Sequence, residues 1–104
     1  MRSDVKREVE GCTFSWDAEK AASNAKKHGV TFTEGLEVLF DPNYRAEEAS
    51  VEQEERYAVI GYSDKGRLLC VVITDAGEEA WRIVSARLAT SRERKRYEEE
   101  TDSE

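Results

Sequence analysis

Residues 14–32, FSWDAEKAASNAKKHGVTF, carry the clearest local signals in the chain. Phe14 and Trp16 alternate as in a short strand with one apolar face, and Asp17 follows at the position of a helix N-cap. The helix ends before Gly29, which suits a left-handed C-terminal residue. Alanines recur along it at helical spacing, so the helix can pack closely on a sheet: Ala18, Ala21, Ala22 and Ala25.

The other side of this helix carries a polar stripe at steps of three and four residues: Lys20, Asn24, Lys27 and His28. Cations in a last helical turn stabilise the helix by about 0.3–1 kcal/mol each through its dipole. From this segment alone, the dipole explains Lys26, Lys27 and His28 better than a phosphate site does. Whether they also handle a phosphate depends on the arginines further along.

The rest of the sequence predicts a second helix, three strands and a last helix. Thr31 or Thr33 caps the second helix, and Thr90 or Ser91 caps the last one. The predicted helices cover residues 34 to about 40 and 92 to about 99, and the strands cover residues 56–63, 67–74 and 80–87. Short turns join the strands, which predicts an antiparallel meander. We therefore expect an α+β fold, with two N-terminal helices packed on the meander and a C-terminal helix.

A chain of 104 residues has room for one domain and one core. We assign residues 1–12 to a polar leader, 13–98 to the domain and 99–104 to an acidic tail. Residues 45–55 contain too few apolar side chains for a core element and are expected to form a loop or a poorly packed edge strand. The net charge of −7 comes from residues 41–56 and 98–104, and the rest is slightly basic. The charge therefore permits an RNA partner but predicts weak non-specific binding to polyanions.

Several classes of protein are excluded by what the sequence lacks. Cys12 and Cys70 are too few for a disulfide framework, and no Cys-x-x-Cys pair suggests zinc. One histidine and no glycine-rich phosphate loop argue against most cofactor enzymes and against a two-histidine nuclease. No cofactor or metal is therefore expected. No apolar stretch reaches membrane-spanning length, which favours a cytoplasmic protein that does not engage a membrane.

Arg82 is the most suggestive single residue, because it lies in the middle of an otherwise apolar strand. Simple alternation predicts that it shares a face with Val84 and Ala86, and that Arg87 leans to the other face unless the strand has already ended. An arginine in this position needs a partner if it is buried. The partner is either a functional anion or an acidic side chain of the protein, such as Asp41 or Glu79.

Two motifs, taken together, resemble the BrnT toxin family. The first is Phe14-x-Trp16-Asp17-x-x-Lys20-x-x-x-Asn24-x-x-Lys27-His28-Gly29-Val30-x-Phe32. The second is Arg82-Ile83-Val84-Ser85-Ala86-Arg87-x-Ala89, followed by Glu93 and Tyr97. The resemblance covers about residues 13–98. It implies a RelE-like fold and a ribonuclease toxin of a type II toxin–antitoxin module. A BrnA-like antitoxin would neutralise the toxin, and DNA would be bound only through that antitoxin.

The resemblance also implies a metal-independent endoribonuclease, in which a ribose 2′-hydroxyl attacks the adjacent phosphate. We hypothesise that Arg67 and Arg82 clamp the phosphate, because the planar guanidinium matches phosphate oxygens. Lys27 or His28 would supply charge or proton transfer, although a capping role for His28 is equally compatible with its position. Lys20 and Arg87 are also expected to bind RNA. Arg87 could instead brace the end of the sheet.

A different class of function remains open from the sequence. The acidic segment and tail lower the affinity for RNA, so the chain could be a catalytically degenerate RelE-like fold that acts as a protein-interaction module. Growth arrest on induction, together with RNA cleavage that survives EDTA, would favour the ribonuclease.

Overall fold

Six strands form one mixed sheet in the computed structural model, which describes residues 3–102 and the side chains of residues 3–99. The strands are β1 Asp4–Val9, β2 Cys12–Asp17, β3 Arg45–Glu48, β4 Arg56–Tyr62, β5 Leu68–Asp75 and β6 Ala80–Leu88. The helices are α1 Ala18–His28, α2 Phe32–Val38 and α3 Ser91–Asp102. This arrangement confirms the expected α+β class.

The sheet has the strand order β1-β2-β6-β5-β4-β3. Strands β4, β5 and β6 form the predicted antiparallel meander, each within one residue of its predicted bounds. The sheet is wider than predicted, because β2 adds to β6 in parallel and β1 and β3 form the two edges. The helix-bearing N-terminal segment is thereby joined to the last strand of the meander.

Residues 4–9, which the sequence places in a polar leader, form the edge strand β1. Val5 and Val9 pack against the main core, and a turn with positive φ at Glu10 and Gly11 leads into β2. The acidic segment contributes the other edge strand, β3, which is the second of the two predicted alternatives. Helix α3 continues to Asp102, so it extends into the predicted acidic tail, and residues 103–104 lie outside the described residues.

The helix ends follow the predicted capping chemistry. The Asp17 carboxylate accepts a hydrogen bond from the Glu19 N–H at 2.8 Å, and Gly29 ends α1 with φ 71°. Thr31 caps α2, which begins two residues earlier than predicted. At α3, the Glu93 N–H donates to Thr90 Oγ1 and the Thr90 N–H donates back to Glu93, which makes a reciprocal capping box.

Apolar clusters cover both faces of the sheet. The larger one lies under α1 and α2 and contains Phe14, Trp16, Val30, Phe32, Leu36, Val38, Val59, Leu69, Val71, Ile73, Ile83 and Ala86. The smaller one lies under α3 and contains Ile60, Leu68, Cys70 and Tyr97. Asp41 fastens α3 to the sheet, since its Oδ2 accepts from the Tyr97 hydroxyl at 2.7 Å and from the Tyr62 N–H at 2.8 Å.

A β-bulge interrupts β6 at Val84, which has no partner in the register with β5. The alternation of side chains therefore shifts, and Ile83 and Ala86 both point into the larger core. Arg82 and Arg87 consequently lie on the opposite face together. The prediction that Arg82 shares a face with Ala86, with Arg87 on the other side, was wrong because it assumed an unbroken strand.

Candidate active site

Helix α1 takes the place of a strand beside the second half of β6. Strand β2 pairs with β6 only as far as Arg82. Beyond that point, the buried side chain of Asn24 donates to the Ala86 carbonyl oxygen at 2.7 Å and accepts from the Ala86 N–H at 3.3 Å. The same amide donates to the Val30 carbonyl oxygen at 3.0 Å. The Asn24 side chain thus fixes α1 against the open edge of β6 and satisfies the backbone N–H and carbonyl oxygen of Ala86.

A groove of about 420 Å³ lies between α1 and β6. Its lining residues are Glu19, Lys20, Ser23, Asn24, Lys27, His28, Val84 and Ser85. Three residues that the sequence singled out therefore share one site: Lys20, Lys27 and His28. Both lysines are exposed and His28 is half-buried, so the groove combines exposed positive charge with an imidazole side chain.

Arg82 lies on the β6 strand that forms one wall of this groove. Its Nη1 donates to Ser15 Oγ at 3.3 Å, and its Nη2 lies 3.1 Å from Asp4 Oδ1. Arg82 therefore has an acidic partner, as one of the two predicted alternatives states, but the partner is Asp4 and not Asp41 or Glu79. Asp4 was overlooked because residues 4–9 were not predicted to form a strand.

Arg87 lies further along the same face of β6 and is held more firmly. Its two terminal nitrogens donate to the two carboxylate oxygens of Glu93 at 2.8 and 3.0 Å. The hydrogen bonds from Arg87 lower the pKa of Glu93 to about 2. A phosphate at this position would compete with a bidentate carboxylate, whereas a phosphate at Arg82 would compete with a single contact.

Arg67 lies behind the turn that ends α1. Its Nε and Nη2 donate to the Glu34 carboxylate at 2.9 and 2.5 Å, and Nη2 also donates to the Gly29 carbonyl oxygen at 3.0 Å. Glu34 is buried and accepts a further hydrogen bond from Ser63 Oγ at 2.8 Å. The hydrogen bond with Arg67 is the main cause that lowers the pKa of Glu34. Arg67 therefore ties the end of α1 to α2.

Arg67 and Arg82 are not brought together. Arg82 pairs with Thr74 near the end of β5, and Arg67 precedes the first residue of that strand. Seven residues along a strand correspond to about 23 Å. The hypothesis that both arginines clamp one phosphate does not fit this arrangement.

Two residues important to the site were not recognised from the sequence. Asn24 was placed on an exposed stripe, although its position in the Lys20-x-x-x-Asn24-x-x-Lys27 motif was a signal that it has a specific role. Glu34 lies among the first residues of α2, where an acid is usual for a helix dipole, so nothing in the sequence distinguished it.

Within the described residues, no group of three or more His, Cys, Asp or Glu side chains is placed to hold a metal ion. No helix in the same part of the chain is both long enough and apolar enough to cross a membrane.

Comparison with known proteins agrees with the resemblance noted from the motifs. Residues 16–93 match the family model described as the ribonuclease toxin BrnT of type II toxin–antitoxin systems. The fold is similar to the crystal structure of the Brucella abortus ribonuclease toxin BrnT, with a TM-score of 0.55 and 26% sequence identity. That match covers 73% of this chain and 94% of the Brucella chain. No curated protein sequence gives a significant match.

Proposed function

The chain belongs to the BrnT family of ribonuclease toxins of type II toxin–antitoxin systems, and from this premise we propose that its active site is the groove between α1 and β6. The proposed activity is metal-independent endoribonuclease cleavage of RNA. The observation that carries this proposal is the convergence of Lys20, Lys27 and His28 on one groove, beside the strand that contains Arg82.

The proposed reaction needs three things from the protein. The 2′-oxygen forms a bond to phosphorus while the bond to the 5′-oxygen breaks, giving a 2′,3′-cyclic phosphate and a 5′-hydroxyl. One proton leaves the 2′-hydroxyl and one reaches the departing 5′-oxygen. Negative charge accumulates on the phosphoryl oxygens between these two events, so a fixed cation is needed there.

His28 is the proposed proton-transfer residue, because imidazole can give or accept a proton near neutral pH. Lys27, which is adjacent in sequence and lines the same groove, would neutralise the developing charge. Arg82 would bind a phosphoryl group with its planar fork, exchanging the exposed Asp4 carboxylate for the phosphate. Arg67 would act indirectly, by holding the Gly29 turn that follows His28.

Lys20 and Arg87 are the proposed contacts to neighbouring phosphates. Lys20, on the first turn of α1, lines the groove, and Arg87 lies near the end of β6, the strand that forms one of its walls. The groove contains one acidic side chain, Glu19, against two lysines. The local charge thus favours an anionic polymer although the chain as a whole is acidic.

The proposed partner is a BrnA-like antitoxin that binds the toxin and suppresses cleavage. The family is defined by a type II toxin–antitoxin system, in which the antitoxin is a protein. DNA binding by the pair would come from the antitoxin.

Two single substitutions in the last turn of α1, compared with each other, test the catalytic assignment. We expect His28→Ala to lower the single-turnover rate of RNA cleavage about 100-fold or more, the usual cost of losing a proton-transfer residue. Lys26→Ala is the matched control, since Lys26 occupies the same helical turn but does not line the groove. The control should cleave RNA in EDTA at the rate of the unmodified protein.

Three results would contradict the proposal. A His28→Ala protein that cleaves at the unmodified rate would remove His28 from the reaction. Loss of cleavage in EDTA would contradict the metal-independent mechanism. An unmodified protein that neither cleaves RNA nor arrests growth would favour the interaction module instead.

A further inference from the structure

The two ends of the sheet carry opposite charge. At one end, residues 8–11, 48–56 and 75–79 form the turns and strand ends between β1 and β2, β3 and β4, and β5 and β6. These residues include nine acidic side chains and one basic side chain, Arg56. We call this region the acidic end. Lys27 and His28 lie towards the other end, where residues 26–28, 64–67 and 87–92 contain six lysines and arginines and one acid, Asp64.

An apolar groove of about 380 Å³ lies beside the acidic end, on the sheet face that carries α2. Helix α2 ends at Val38 and leaves this part of the sheet uncovered. None of the lining residues carries a formal charge, and they include Phe40, Tyr44, Tyr57 and Trp81. Phe40 is 41% exposed and Tyr44 is 47% exposed, which is unusual for large side chains beside a core.

We infer that this apolar groove is the anchoring site for the antitoxin, and that it binds an amphipathic segment with apolar side chains facing Phe40, Tyr44 and Trp81 and with flanking lysines or arginines. Charge complementarity selects this occupant, because the acidic end borders the groove on one side and attracts a basic flank. The same charges repel RNA. The inference rests on the proposed partnership with an antitoxin and not on the ribonuclease mechanism.

A second copy of the chain is a poorer fit. Its basic end would complement the acidic end, but that part of the molecule offers only one large exposed apolar side chain among the described residues, Leu88. One side chain cannot fill a groove lined by five aromatic side chains. An amphipathic segment supplies both the charge and the apolar surface that this site requires.

The proposed antitoxin-binding groove lies apart from the proposed catalytic residues Lys27 and His28. The apolar groove lies beside the starts of β2, β4 and β6, whereas Lys27 and His28 lie at the far end of α1. An antitoxin anchored here must reach the α1–β6 groove with a different part of its chain. Substitutions of Phe40 and Tyr44 should therefore weaken binding without changing RNA cleavage by the free toxin.

Binding of the purified product of the neighbouring reading frame, as the candidate antitoxin, tests this inference. We expect Phe40→Lys and Tyr44→Lys each to raise the Kd at least tenfold, measured by titration calorimetry. Leu88→Lys is the matched control, because Leu88 is an equally exposed apolar residue (51%) outside the groove, and its Kd should stay within twofold. Tyr44→Lys guards against misfolding of Phe40→Lys, since Phe40 packs edge-on against Phe14.

The charge contribution has its own pair of variants. Glu55→Lys combined with Glu78→Lys should weaken binding several-fold at low salt and reduce the salt dependence of the Kd. Asp64→Lys reverses one charge at the basic end and should leave the Kd within twofold of the unmodified value, whereas Glu55→Lys alone should weaken binding.

The possible outcomes separate this inference from the proposed enzyme. Unchanged affinity of Phe40→Lys and Tyr44→Lys would overturn the inference even if the antitoxin still suppresses cleavage. Groove-dependent binding by a toxin that does not cleave RNA would support the inference and contradict the ribonuclease proposal. Toxin dimers that Tyr44→Lys dissociates, with antitoxin binding unchanged, would make a second copy the occupant and would also overturn it.

Discussion

Two arginine–carboxylate pairs in this protein have the same chemistry but differ in the number of contacts and in the exposure of the carboxylate. The Glu34–Arg67 pair is bidentate and includes a carboxylate that is 5% exposed. The Asp4–Arg82 pair is a single contact at 3.1 Å with a carboxylate that is 41% exposed. The difference indicates which arginine belongs to the framework and which one is available to a ligand.

The energetic reasoning behind this distinction is simple. Removing one partner of a buried pair leaves the other charge desolvated and unpaired, which is costly. An exposed pair contributes about 0–1 kcal/mol, so its arginine can exchange a carboxylate for a phosphate at little expense. Arg67 is thus expected to act on stability and Arg82 on RNA.

The largest effect is expected at the buried pair. Arg67→Ala should lower the free energy of unfolding more than Asp4→Asn does, since the Glu34 carboxylate, which is 5% exposed, would lose its main partner. Urea denaturation followed by circular dichroism measures this change. Asp4→Asn breaks the exposed pair and should cost less than about 1 kcal/mol. Equal effects of the two substitutions would erase the distinction between the pairs.

The second effect is expected on catalysis at the exposed pair. Arg82→Ala should lower the single-turnover cleavage rate about 10- to 100-fold, equivalent to about 1.4–2.7 kcal/mol of transition-state stabilisation, and should abolish growth arrest. Its urea midpoint should stay close to that of the unmodified protein. Asp4→Asn keeps the guanidinium and should cleave RNA at least as fast as the unmodified protein. A fully toxic Arg82→Ala variant would rule out this role.

The smallest effect is expected at Glu93–Arg87, which is intermediate between the two pairs. The pKa of Glu93 is lowered from 4.5 to about 2 in the folded protein, so its contribution is complete above pH 4.5 and is lost as the pH falls towards 2. We expect about 1–2 kcal/mol of stability to disappear over this interval, after allowing for partial exposure.

Thermal unfolding at a series of pH values measures this loss. Glu93→Gln should flatten the acid limb of the stability profile. Glu98→Gln is the control on the same helix, because its contact with Arg94 is exposed and 3.9 Å long. An unchanged acid limb in Glu93→Gln would show that other carboxylates account for the acid sensitivity.

The elements that could be predicted from the sequence are those specified by local chemistry. The caps at Asp17 and Thr31, the glycine that ends α1 and the three strands of the meander depend on neighbouring residues, and all are present. The parallel pairing of β2 with β6 joins residues more than sixty positions apart, and no local pattern encodes it. Strand β1 was missed because its exposed positions are charged and only two valines face the core.

The residues that α1 contributes to the site could be predicted from the sequence, but the arrangement of the arginines on β6 could not. Lys20, Lys27 and His28 share one helix, so helical periodicity brought them together correctly. The relation between Arg82 and Arg87 depends on the bulge at Val84, which shifts the side chains of β6 by one position. Bulges of this kind arise from tertiary packing, so strand alternation alone gave the wrong face.

The parallel junction between β2 and β6 also bears on how the chain is made. Residues 13–15 pair with residues 80–82, and Asn24 forms its hydrogen bonds with Ala86. Both contacts require strand β6, so the centre of the sheet can form only after that strand has left the ribosome. Contacts of such long sequence separation slow folding, because a large loop must be ordered before they form. A nascent chain therefore lacks one wall of the α1–β6 groove until strand β6 has been synthesised.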